Sequence, residues 1–158
     1  VINPSVNTIE STISTTLAPN SLSVENGVLY VMTAGYSGAG KLVKVNLSSS
    51  TASETDLPAS IDAPSNLVVS GGQMYFTSAG NIYKNSVSST TISSNPLIET
   101  GSSNYYMGYG FNVEQNRIFI AEAASDFVSD GKVFVYDNNG SLLKEIGVGL
   151  GPNGFYFN

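Results

Sequence analysis

Internal periodicity constrains this chain more than any other feature, because a sequence that repeats at a fixed period folds as an array of similar units. Three apolar cores align along its 158 residues: Leu29-Tyr30-Val31, Met74-Tyr75-Phe76 and Ile118-Phe119-Ile120, with central aromatics 45 and 44 residues apart. A second series, Leu22, Leu67, Phe111 and Phe155, steps by 45, 44 and 44. A third joins Pro19, Pro64 and Pro152, with Gly108 in the skipped place. Three registers that agree within one residue define a repeat.

Each unit reads as four short strands. A proline-bearing turn leads to a first strand, over 21–24 or 66–69. A glycine turn follows, Glu25-Asn26-Gly27 or Ser70-Gly71-Gly72, and the second strand carries the aromatic core. A third strand is predicted over 41–46, 81–87 or 132–137, and Asn138-Asn139-Gly140 is a hairpin signal introducing a fourth over 141–146. Alternation such as Val133-Phe134-Val135-Tyr136 fits strands, and no long window shows helical periodicity.

Four antiparallel strands every ~40–50 residues is the pattern of a β-propeller blade. A β-sandwich is the alternative, but its strands do not recur as whole units in register. The fold class expected is therefore all-β: three four-stranded blades of a propeller at about 20–58, 65–101 and 109–147, with partial blades at 1–14 and 154–158. Three blades form an arc with exposed edges. Two arrangements would resolve it: a head-to-tail homodimer joined through the terminal strands, or further blades preceding Val1.

Composition narrows the chemistry. The chain is 41% hydrophobic, enough for a core, while charged residues reach only 11% against a typical ~25%. Polarity comes from 24 Ser, 11 Thr, 16 Asn and 16 Gly, which favour strands joined by turns. With no His and no Cys, zinc fingers, imidazole-based triads and thiol nucleophiles are excluded. A net charge of −6 argues against a nucleic-acid partner. No apolar run reaches the ~18 residues of a membrane span. The low-charge, Ser/Thr/Asn-rich surface suits an extracytoplasmic protein.

Two segments carry a family resemblance. Val1-Ile2-Asn3-Pro4-Ser5-Val6-Asn7-Thr8-Ile9, followed by Pro19 and Leu29-Tyr30-Val31, resembles the repeat of surface-layer, YVTN-type propellers. The ending from Gly149 to Asn158 resembles that of secreted Bacteroidetes propellers classed as DUF5074. The second blade departs from the pattern, with Met74-Tyr75-Phe76 and no Asn-Pro turn, and the third lacks the leading proline. The resemblance implies a longer, periplasmic or cell-surface propeller, lipid-anchored in its precursor, with nutrient capture of corrinoids such as vitamin B12 among its uses. More distantly it implies the quinoprotein amine dehydrogenase-like superfamily.

Three loops offer candidate ligand contacts. The stretch 34–40 is glycine-rich around Tyr36, but no helix follows it, so it is no dinucleotide fingerprint. The lead-in to the third blade brings Asn104, Tyr105, Tyr106 and Tyr109, a set suited to a planar or amphipathic ligand or, as plainly, to packing between blades. The long loop after the third blade's second strand holds Phe127, and Glu122, Asp126 and Asp130 as a weak calcium set whose spacing is not that of an EF-hand. The tyrosine lead-in and the Phe127 loop are expected on one face.

Catalysis has little to work with. The nearest candidates for an acid pair, Glu122 and Asp126, share one loop rather than facing across a cleft. Serine lacks an imidazole base. The expected function is non-catalytic binding of a small molecule or a surface partner protein, with no cofactor. A quinoprotein-like or lyase-type enzyme and a purely structural module are the alternatives.

Overall fold

The computed structural model describes residues 2–34, 39–100 and 105–157; within the strands it describes the side chains from residue 108 onward in the third blade. Its described residues form strands and turns in four antiparallel sheets. A small hairpin pairs β1 (Ile2–Asn3) with β2 (Thr8–Ile9). The first blade runs in chain order through β3 (Ala18–Glu25), β4 (Val28–Ala34), β5 (Lys41–Asn46) and β6 (Thr51–Asp56). The second holds β7 (Ser65–Ser70), β8 (Gln73–Ser78) and β9 (Asn81–Ser86). The third holds β10 (Tyr105–Asn112), β11 (Arg117–Ala123), β12 (Lys132–Asp137) and β13 (Leu142–Gly147). The three meanders are the blades that the 44-residue period predicts.

Turn chemistry sets their register. Asn26 and Gly27 (φ 50° and 76°), Gly71 and Gly72 (59° and 70°) and Ala79 and Gly80 (48° and 80°) close two-residue hairpins with positive φ at both positions. That backbone matches the twist of the flanking strands and favours Asn and Gly. The outer hairpins use side-chain caps: the Asn46 carboxamide accepts from the amides of Ser48 and Ser49, and Asp137 accepts from those of Asn139 and Ser141.

The second blade differs from the four-strand expectation. It has three strands, and its outer strand is reduced to a single bridge between Ile82 and Ile98. Residues 87–97 are mostly Ser, Thr and Asn with Pro96, and their backbone is satisfied locally. Ser93 N–H donates to the Asn85 carboxamide at 2.7 Å, and Thr91 and Asn95 donate to serine hydroxyls two residues back. Such local bonding competes with a sheet ladder. Ile92 still anchors the segment, buried beside Tyr83.

Packing between blades follows one rule. Leu67 on β7 is buried in the cluster that holds Tyr30 and Met32 of the first blade. Phe111 on β10 stacks on Tyr75 of the second, with ring centroids 4.2 Å apart. The residue of the second periodic series thus faces the central aromatic of the preceding blade. Phe76, Met32, Met74 and Leu42 are fully buried between the first and second blades; burial of one such side chain contributes about 1.5–3 kcal/mol. Leu22, the first member of the series, is 66% exposed.

The rule also explains the C-terminal segment. Residues 154–157 of the partial blade expected at 154–158 read as a first strand, yet among the described residues they join no ladder. They lie against β10 and β11 of the third blade instead. Phe155 and Phe157 flank Phe119 at centroid distances of 5.5 and 5.2 Å. Aromatic side chains dock the segment on the blade. Close approach requires small residues beneath it: a Cβ on Gly110 would lie 2.8 Å from the Phe155 Cβ, and one on Gly108 2.5 Å from the Gly154 amide.

Candidate functional site

Sheet register assembles one end of the third blade. Tyr105 pairs with Ala123 and Tyr106 with Glu122, and Glu122 pairs in turn with Lys132. Tyr105, Tyr106 and the loop 124–131 therefore meet at the same end of the sheet. Tyr36 and Asn104 lie outside the described residues, as do the side chains of Tyr105 and Tyr106.

The loop is built around Asp126. Its carboxylate accepts from the amides of Val128 (3.0 Å) and Ser129 (2.9 Å) and from the Ser129 hydroxyl (2.5 Å). The Ser129 hydroxyl, ahead of those two amides, holds the carboxyl below the ordinary aspartate range. This turn lifts Phe127 outward, 58% exposed and with a left-handed φ of 56°. At the loop's base Gly131 is buried, its carbonyl accepting from Val148 N–H at 3.0 Å, with the Pro152 ring against its Cα. A cavity of about 140 Å³ opens there, lined by Glu122, Ala123, Ala124, Asp130, Gly131 and Lys132.

The three carboxylates of the calcium reading are differently engaged. Asp126 spends its oxygens on its own loop, and Lys132 bonds Glu145 at 2.7 Å beside the cavity that Glu122 and Asp130 line. Among the described residues no three carboxylates gather as a metal site.

Tyr109 sits elsewhere. Its hydroxyl donates to the Gly80 carbonyl (3.3 Å) in the β8–β9 turn, and its ring helps to line a second cavity, a wedge of about 180 Å³ between the second and third blades. Tyr75, Phe76, Thr77, Phe111 and Ile118 contribute to its walls, with Asn66 among the lining residues. Sequence reading treated Tyr75 and Phe111 as core positions and passed over Asn66. The signal available was the departure of the 66–69 strand from the serine pattern at 21–24. Two lysines also escaped notice: Lys44 donates to the Val87 carbonyl, and Lys84 to that of Asn138 at 2.8 Å, each latching one blade to the next.

Comparison with solved structures establishes the fold. A quinoprotein alcohol dehydrogenase-like protein of Bacteroides thetaiotaomicron superposes with a TM-score of 0.67 at 17% identity, over 81% of this chain and 33% of that one. The β-propeller domain of the trilobed protease of Pyrococcus furiosus, with its open velcro topology, gives 0.55 at 12%, over 86% and 44%. The calcium-binding protein regucalcin of Agrobacterium tumefaciens gives 0.54 at 21%, over 80% and 44%. The chain thus adopts a partial β-propeller fold and spans less than half the length of these neighbours. No family model and no curated sequence matches it.

Proposed function

We propose that this chain is a non-catalytic part of an extracytoplasmic propeller, of the secreted YVTN-type, that binds a small amphipathic molecule across the loop end of its third blade. The observation that supports this reading is the register that joins Tyr105 and Tyr106 to the strand end from which the 124–131 loop springs, with Phe127 held outward by the Asp126 turn. An exposed aromatic on a braced loop offers stacking area at little entropic cost. The loop-base cavity of about 140 Å³ is too small to enclose a macrocycle, so a corrinoid-type ligand would lie across the loops with only an edge in the cavity.

Titration with cyanocobalamin, followed by native mass spectrometry, tests the reading. We expect one ligand per chain, and loss of the adduct in Phe127→Ser and Tyr106→Ala variants. An unchanged adduct in both variants would move the site elsewhere, and no adduct with the wild-type chain would remove corrinoids as its ligand. A quinoprotein-like enzyme, the second reading, is favoured by the superposition on the dehydrogenase-like neighbour. It predicts a redox-active species retained on purification.

A further inference from the structure

The wedge between the second and third blades exists for a reason that can be read residue by residue. Between the first and second blades, side chains of β3 lace the backbone of β7. Leu67 N–H donates to the Ser21 hydroxyl (3.1 Å) and Val69 N–H to that of Ser23 (3.0 Å). The amides of Gly71 and Gly72 donate to the two Glu25 oxygens at 2.6 and 3.1 Å. One repeat later the residues in those places are Asn66, Val68 and Ser70. Valine has no acceptor. Asn66, with a left-handed φ of 56°, turns its amide N–H₂ toward Thr77 Oγ1 (2.9 Å) and Ser65 Oγ (3.3 Å). No hydrogen bond laces β7 to β10 among the described residues, and the inner strands part where the blades below remain stacked through Tyr75 and Phe111.

What remains is a mostly apolar cleft walled by aromatic rings. An apolar cavity of ~150 Å³ holds one benzene ring, so the wedge, at about 180 Å³, matches a single ring with a small substituent. With its N–H₂ already donated, Asn66 can offer a ligand its carbonyl oxygen, which accepts a hydrogen bond.

We propose that this wedge binds single-ring aromatic molecules carrying one hydrogen-bond donor, of which phenol is the simplest. The site is separate from the loop end of the third blade, shares none of its residues, and stands or falls independently of the function proposed above.

Methyl-labelled chain titrated with phenol, and in parallel with toluene, tests this. Saturable shifts are expected at Val68, Ile82 and Ile118, with intermolecular NOEs from phenol ring protons to the Ile118 methyls. Phenol is expected to bind about two- to tenfold more tightly than toluene, the worth of one hydrogen bond. Asn66→Gly, which keeps the left-handed backbone, should remove that preference. Val68→Phe, which adds a ring to the lining of the wedge, should remove binding while the remaining amide spectrum stays wild-type. Linear shifts scattered over surface tyrosines, or NOEs absent from Ile118, would overturn the site. Equal affinity for the two molecules would overturn the donor requirement.

Discussion

Phe155 lies against Phe119, 36 residues before it, as Phe111 stacks on Tyr75, also 36 residues before it. One spacing therefore governs both a contact between two blades and the docking of a segment that has no sheet of its own. The first-strand residue of each unit finds the central aromatic of the unit before. This repeated contact orients the third blade, and with it the loop end where Tyr105, Tyr106 and the 124–131 loop meet.

Leucines at equivalent repeat positions should respond oppositely to truncation. Leu67 is 4% exposed, and Leu67→Ala should cost about 2–5 kcal/mol in urea unfolding. Leu22, in the same repeat position but exposed, should change stability by less than about 0.5 kcal/mol as Leu22→Ser.

Glycines on the third blade are expected to sort by what lies above them. Gly110→Ala forces its new methyl into Phe155 and should cost about 1–3 kcal/mol while exposing the C-terminal segment to limited proteolysis. Gly147→Ala meets nothing within 4 Å and should leave both readouts unchanged.

Lacing between β3 and β7 can be tested at a single hydroxyl. Ser23→Ala leaves the Val69 amide without its acceptor beside a buried side chain, at a cost of about 1–3 kcal/mol. Hydrogen exchange at Val69 should accelerate, while exchange at Phe111, which β7 does not lace, should be unaffected.

The Asp126 turn should carry its own pH dependence. Because the Ser129 hydroxyl and two amides hold the folded carboxyl below its unfolded value, the turn's stabilisation is full above the ordinary aspartate range. It is lost as pH falls through the depressed folded value. Amide shifts of Val128 and Ser129 should therefore stay constant from neutral pH into the ordinary aspartate range and move only below it. Asp126→Ala should show the acid-form shifts at every pH.

Much of this architecture was legible in the sequence, and the limits have physical causes. The period located Tyr30, Tyr75 and Phe119 on second strands because paired strands and tight turns fix residue counts. It did not reveal the loss of the second blade's outer strand, because the serine and threonine caps of 87–97 resemble any polar connection until their acceptors are seen. The loop of Asp126 was found from its length, but its carboxylates were read as open to calcium. Only geometry showed that of Asp126 turned onto its own loop. The wedge was hidden for the converse reason: a cavity arises from what neighbouring blades fail to share, and Val68 in place of a serine is silent without its partner strand.

The contact of Tyr75 with Phe111 joins the second and third blades beside the wedge and sets the third blade's attitude. A double-mutant cycle with Tyr75→Leu and Phe111→Leu measures that contact directly. The structure predicts a coupling of about 0.5–1.5 kcal/mol between the two rings. Strictly additive losses would mean that the rings do not touch in solution, and would contradict the blade register on which the site is built.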